Sequence, residues 1–221
     1  MPHLAARMIT DRSHLGAILD AITSAGITRT FVIGGDAPEP GKYLDALSLL
    51  RDMDDLGHPF GEIGIACYPE GHAVIPSPPL LQALRDKEEY ASYMTTQMCF
   101  DPNAIVDWIT ARRADGIALP VHLGVPGVAE LTKLVTLSAR IGIGDSRRYL
   151  AKNSRLIGRL VRPGGFSADG LLDALGSHLA GPSLAIEGIH LFTFNQVADT
   201  EEWRHRYLET LRHGHENEET A

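Results

Sequence analysis

Leu15, Ile18, Leu19 and Ile22 recur at i, i+3, i+4 and i+7, the spacing that gathers apolar side chains on one stripe of a helix. Gly26 follows where a helix C-cap belongs. The next apolar run, Thr30-Phe31-Val32-Ile33, ends at Gly34-Gly35-Asp36 and is too short for a helix, so it predicts a buried strand. Ahead of both, His3 to Ile9 reads as a strand, with Thr10-Asp11 opening the helix. The alternation then repeats. Helices are expected through Leu44, Leu47, Leu50 and Met53, through Leu80, Leu81, Leu84 and Lys87, through Ile105, Trp108 and Ile109, and through Val128, Leu131, Leu134 and Val135. Between them, Ile63 to Cys67, Tyr93 to Cys99 and Ile117 to Leu123 read as strands.

From Gly142 to Gly188 the rhythm breaks into two predicted helices, separated by Pro163-Gly164-Gly165, without a clear strand. It returns with a strand at Ile189 to Thr193 and a last helix through Trp203 and Leu211. Strands that alternate with helices imply parallel pairing through right-handed crossovers, hence an α/β protein. Both an open doubly wound sheet and a (β/α)8 barrel begin this way. Five successive strands, however, finish on polar or ionisable groups: Asp36; Tyr68 to His72; Gln97 with Asp101; His122; and Asn195-Gln196. In a barrel all those ends face one cavity, whereas in an open sheet only the strands at the switch point meet a ligand. Convergence favours a (β/α)8 TIM-barrel type with six strand–helix units, one domain over residues 1–212, and a disordered acidic tail at 213–221.

Composition narrows the partners. Of 221 residues, 44% are apolar and 22% charged, and 20 basic against 28 acidic side chains leave a net charge of −8. The apolar share excludes a disordered chain, and no unbroken apolar run is long enough to span a bilayer. A negative chain offers no broad face for nucleic acid. Two cysteines, Cys67 and Cys99, are too few for a disulfide framework and lack the spacing of a structural zinc site. The opening MPHLAARMITDR has no apolar secretory core, which makes the cytoplasm the default location.

Each candidate residue has a plain structural reading beside the functional one. Asp36 after two glycines suits a turn. Asp101 before Pro102 is the N-cap and N1 pair of a helix. Gln97 lies at a strand end where an amide needs a partner, and a ligand edge with donors and acceptors supplies one. Glu70, His72 and His122 are a weak candidate set for a divalent metal and a metal-dependent hydrolase or lyase. Arg147, Arg148, Lys152, Arg155, Arg159 and Arg162 lie against a single Asp145 and form either a solvated helix face or a site for anionic groups. No G-x-G-x-x-G loop, Walker A sequence or G-x-S-x-G elbow is present.

Taken in order, Pro2-His3-Leu4, Phe31 to Asp36 with Tyr43 soon after, Cys67-Tyr68-Pro69-Glu70-Gly71-His72, Leu84-Arg85-Asp86-Lys87, Thr96-Gln97-Met98-Cys99-Phe100-Asp101, Pro120 to Gly124 and Phe192-Thr193-Phe194-Asn195 resemble the methylenetetrahydrofolate reductase family. The resemblance implies reduction of 5,10-methylenetetrahydrofolate to 5-methyltetrahydrofolate, with FAD relaying hydride from NADH or NADPH. It also implies roles: Asp36 as the catalytic carboxylate beside flavin and pterin; Gln97 and Asn195 with Asp36 as substrate-binding residues; and His3, Gly35, Asp36, Tyr68, His72 and Lys87 as cofactor contacts. No metal is expected, the partner is a folate, and a homo-oligomer is left open. Ala73 stands where the family usually has Pro, Glu89-Tyr90-Ala91-Ser92 replaces its Ala-Gly-Ala run, and Gln196 replaces an Arg of some members. The family's first two strand–helix units, with a glutamate expected as general acid, have no counterpart. The expectation is therefore six units of eight, read as an N-terminally shortened reductase, with a non-catalytic flavin- or pterin-binding remnant as the alternative.

Overall fold

The first helix begins where a side chain can satisfy its free amides. Asp11 adopts an extended backbone, and its carboxylate accepts the His14 N–H at 2.8 Å, starting α1 (Arg12–Ser24) with Leu15, Leu19 and Ile22 buried. Asp45 repeats the device for α2 (Ala46–Leu56), accepting the Ser48 N–H at 2.8 Å. The computed structural model describes residues 1–72, 74–128, 161–162, 165–166, 168–179 and 181–218. The remaining elements are β1 (His3–Ala5), β2 (Arg29–Ile33), β3 (Glu62–Cys67), α3 (Ser77–Lys87), β4 (Tyr93–Thr96), α4 (Pro102–Ala114) and β5 (Val121–Pro126). They are followed by a short hairpin of β6 (Val161–Arg162) and β7 (Gly165–Phe166), α5 (Asp169–Leu179), β8 (Ile186–Phe192) and α6 (Val197–Glu218). Asp101 caps α4 as its position before Pro102 predicts, accepting the Asn103 N–H at 2.9 Å.

Six strands form one sheet in the order β1-β2-β3-β4-β5-β8, every pair parallel. The order follows the chain without reversal, so the described sheet has no switch point of the doubly wound kind. This is a parallel six-stranded α/β sheet of TIM-barrel-like type.

The two faces differ. One carries Val32, Ile63, Ile65, Met94, Val121, Leu123 and Val125, packed with Leu15, Leu49, Leu50, Met53, Ile105 and Ile109 of the helices into the main core. The other carries rings: His3, Phe31, Tyr93, His122, His190 and Phe192. His3 on β1 and His190 on β8 have ring centroids 5.5 Å apart, although they sit on the two outermost strands. Five strand spacings of about 4.8 Å would hold them about 24 Å apart in a flat sheet. The sheet is therefore strongly curled, with the rings inside the curl.

Glycines make the curl fit. A Cβ on Gly64 would fall into the Tyr93 ring, and one on Gly124 would strike the Thr96 carbonyl and come within 2.9 Å of the Phe192 ring. One on Gly188 would lie 3.0 Å from the His122 ring. Small residues facing large ones is how the narrow interior of a rolled sheet is filled. The Gly124 N–H also donates to Thr96 Oγ1 at 2.8 Å, tying β5 to β4 at this closest approach.

Several boundaries differ from the sequence reading. The first strand ends at Ala5, because a 3-10 turn over Ala6–Met8 follows and the Arg7 N–H bonds to the Gly34 carbonyl. Leu44 is outside α2 and exposed, and the helix buries Ala46, Leu49, Leu50 and Met53 instead. The run from Ile117 is not yet strand. Arg113 donates to the Ile117, Leu119 and Leu184 carbonyls at 2.7, 2.9 and 2.8 Å, holding a buried connection, and β5 begins only at Val121. The last strand starts at Ile186, three residues early, after a left-handed Ala185 (φ 47°). A two-stranded hairpin occupies part of the stretch read as strandless. The last helix runs to Glu218, into the segment read as a disordered tail, since lengthening a formed helix needs no new nucleus. The expected helix through Leu131 to Val135 and the basic segment Arg147 to Arg159 lie outside the described residues.

Two glycine substitutions test this packing. Gly124→Ala should lower stability by about 2–3 kcal/mol, since neither a backbone carbonyl nor a packed ring can retreat cheaply. Gly16→Ala, mid-helix with nothing within 4 Å, should raise it by about 0.5–1 kcal/mol. Urea unfolding midpoints of the two variants would show opposite shifts. Equal effects would contradict the role given to the inner glycines.

Candidate functional site

Parallel strands emerge together, and the register fixes which ends are neighbours. Cys67 pairs with Thr96, so Tyr68 and Gln97 are the next residues off adjacent strands, and the Gln97 N–H donates to the Cys67 carbonyl at 2.7 Å. Ala5 pairs with Ile33, which sets Gly35 and Asp36 just past the same rim. Gly35 has φ +83°, and a Cβ there would sit 3.1 Å from Ala5 Cβ, so only glycine holds this turn without strain. Asp36 is exposed beyond it. On the far side Pro126 pairs with Phe192, and the chain leaves β8 through Phe194 (φ +50°) and Asn195 (φ +65°). Two successive left-handed non-glycine residues are uncommon, and they turn Asn195 outward at the rim.

After β3 the chain turns tightly. The Gly71 N–H donates to the Tyr68 carbonyl at 3.1 Å with Gly71 at φ +80°, and His72 comes back edge-on to the Tyr68 ring at 5.1 Å. Burial raises the Tyr68 phenol above its ordinary pKa, with Cys67 adding to the effect. Lys87 reaches this region from the helix layer, not from a strand end. It is 8% exposed and lines a cavity of about 120 Å³ with Cys67, Tyr68, Gly71, Ser77 and Arg112. Burial lowers the Lys87 pKa, partly offset by Cys67 and Asp45.

Not all predicted residues share the rim. His3 lies on the inner face, two residues short of the end of β1, against Phe31 and His190. His122 is the second residue of β5, at the opposite end of the sheet from Glu70 and His72, so the proposed metal set is not assembled. Among the described residues no group of three or more His, Cys, Asp or Glu is placed to hold a metal ion. No described helix is long and apolar enough to cross a membrane.

The sequence reading missed His190 and Tyr93. Their signal was the two-residue alternation of Tyr93 with Thr95, His122 with Gly124, and Gly188 with His190 and Phe192, which marks one face of a strand. Tyr93 stacks on His122 at 4.1 Å. Burial, with His3 and His122 nearby, pulls the His190 pKa down to about 4, and burial also lowers those of His3 and His122. The inner face is thus lined by neutral imidazoles and aromatic rings, with the Arg29–Glu62 ion pair at the end opposite the rim.

A family model described as Methylenetetrahydrofolate reductase matches residues 1–143. The chain belongs to the methylenetetrahydrofolate reductase family. Within that family, named for a folate one-carbon oxidoreductase, the matched segment carries the strand ends of β1 to β5 and hence Gly35, Asp36, Tyr68, His72 and Gln97. Asn195 and His190 lie beyond the matched segment but are tied to it through β5.

The depressed histidines set a pH dependence. Unfolded imidazoles bind protons near pH 6.5, whereas folded His190 resists until about pH 4, so stability should fall as pH drops through that window. Denaturant midpoints between pH 7.5 and pH 5 should fall steadily, and His190→Phe should flatten the slope. An unchanged slope in the variant would refute the account.

Proposed function

We propose that this chain carries out the reduction of 5,10-methylenetetrahydrofolate to 5-methyltetrahydrofolate with NADH or NADPH. The observation that carries the reading is the placement of Asp36, Tyr68, His72 and Gln97 along one rim of a segment matching the reductase family.

The donor set suits a planar heterocycle whose edge alternates donors and acceptors. The Gln97 amide both donates and accepts, so it can read a pterin edge. Asp36 carries an exposed carboxylate at the rim, where it stabilises the cationic iminium form of the folate. That charge develops on the way to hydride acceptance, so its neutralisation lowers the barrier. Asn195 closes the rim from β8.

FAD is tested by the same residues. Gly35 presents bare backbone at the rim where a Cβ would crowd Ala5, and Tyr68 with His72 forms an aromatic edge; both suit a flavin ring. The cavity beside Lys87 is too small for a ring system but admits an anionic group near that ammonium. The residues fit the cofactor, and Gly35, Asp36, Tyr68, His72 and Lys87, with His3 deeper on the inner face, would hold it. When bound, FAD supplies a hydride relay between the nicotinamide and the folate carbon. The protein's own part is to orient both rings, line the inner face with neutral imidazoles and aromatic rings, and place the Asp36 charge.

Methylenetetrahydrofolate-dependent oxidation of NADH or NADPH should fall about 10²-fold or more in Asp36→Ala. In Gln97→Ala, loss of one edge contact predicts about tenfold. Both variants should unfold at wild-type denaturant concentrations. Wild-type turnover in both would overturn the assignment.

A further inference from the structure

The loop after β3 fixes the hydrogen-bonding direction of one side chain. Once the turn from Tyr68 to Gly71 is made, the chain folds so that two backbone amides converge on the His72 ring. The Val74 N–H lies 3.2 Å and the Ile75 N–H 3.3 Å from Nδ1. A ring nitrogen that receives N–H donors must present its lone pair and cannot carry a hydrogen of its own. A neutral imidazole has one N–H, so that hydrogen is on Nε2. Nε2 makes no hydrogen bond among the described residues. The Tyr68 ring, perpendicular to the imidazole at 5.1 Å, flanks it and limits its rotation.

We infer that His72 is a one-way group: held as the Nε2–H tautomer by the Val74 and Ile75 amides, it donates to a ligand and accepts nothing from it. On the reading proposed above, on which the ligand's identity rests, the matching atom is an acceptor on a flavin or pterin edge, a carbonyl oxygen or a pyridine-like ring nitrogen. A ligand that presents an N–H at that position would meet a second donor and be rejected, so the loop sets the orientation of the ring as well as its binding. The polarity comes from the backbone, because neither amide can change its role.

The inference can be tested without turnover. In the ligand-free chain labelled with ¹⁵N-histidine, the signals lost in His72→Asn identify the ring. At a pH above imidazole titration they should show Nδ1 at a pyridine-like shift and Nε2 at a pyrrole-like shift. The reverse pattern, or averaged shifts for both nitrogens, would overturn the inference whatever the protein's function. FAD is the binding probe. His72→Asn keeps an acceptor oxygen near the Nδ1 position but loses the Nε2 donor, and should bind FAD about five- to tenfold more weakly. His72→Gln places an amide N–H₂ near the Nε2 position and should recover part of that loss. Equal FAD affinity in wild type and His72→Asn would show that the donor is not used. Absence of FAD binding in the wild type, with the Nε2–H pattern intact, would support the fixed tautomer and count against flavin as its ligand.

Discussion

Ring-on-glycine packing inside the sheet is the constraint from which the rest follows. Tyr93 covers Gly64, Phe192 closes on Gly124, and His122 lies over Gly188. In each pair a Cβ on the glycine would come within 3.0 Å of the ring. Replace the glycines and the strands would have to flatten to make room, and flattening would carry β1 away from β8. The 5.5 Å contact between His3 and His190 is a direct consequence of the curl. So is the convergence at the rim, since parallel strands bring their carboxy-terminal ends to one place only when the sheet is rolled.

Burial then distributes charge. The inner face holds imidazoles whose protonation is disfavoured, so between the rim and the Arg29–Glu62 ion pair at the far end it is polar but uncharged. Near the proposed site, charge is carried by Asp36 on the exposed rim and by Lys87 and Arg112 at the cavity in the helix layer. The opposite ends of β5 and β8 are secured by Arg113, which spans the connections into both strands through three carbonyls. On the rim side Asp52 accepts from Arg12, Lys42 and Tyr43, tying α1 and α2 to the loop between β2 and α2. With these groups holding the scaffold, rim residues are free to be chosen for chemistry.

Legibility in the sequence tracked the range of the interaction. Helices were readable because their signals are local: the Leu15 to Ile22 stripe, the Asp101-Pro102 cap and the Ser77 to Lys87 segment all lie within a few turns of chain. Strand existence was readable for the same reason, from short apolar runs bounded by glycine and polar residues. Strand limits were not. Ile117 and Leu119 look like the start of β5, but Arg113 takes their carbonyls before a ladder can, and that competition is set by tertiary packing. The error moved His122 from the rim to the far end of the sheet. For the site, Asp36, Tyr68, His72 and Gln97 were legible as residues that follow strands, whereas His190 was hidden in an apolar run and acquires its place only through pairing with Gly124.

That pairing bears on how the family match should be understood physically. The matched segment ends at residue 143, and β8 lies wholly beyond it. Yet β8 is joined to β5 along six paired positions, Phe192 packs against Gly124, and Gly188 leaves the room that His122 fills. Both contacts are on the inner face, so the shape of the matched segment depends on side chains outside it. A sequence can therefore drift in the β8 region only within the limits of those two pairs: a ring opposite Gly124 and a glycine opposite His122. The rim turn at Phe194 and Asn195 sits directly above them and inherits their position. What places Asn195 at the site is thus the same inner packing that places Gln97, although the two residues lie on opposite sides of the matched boundary.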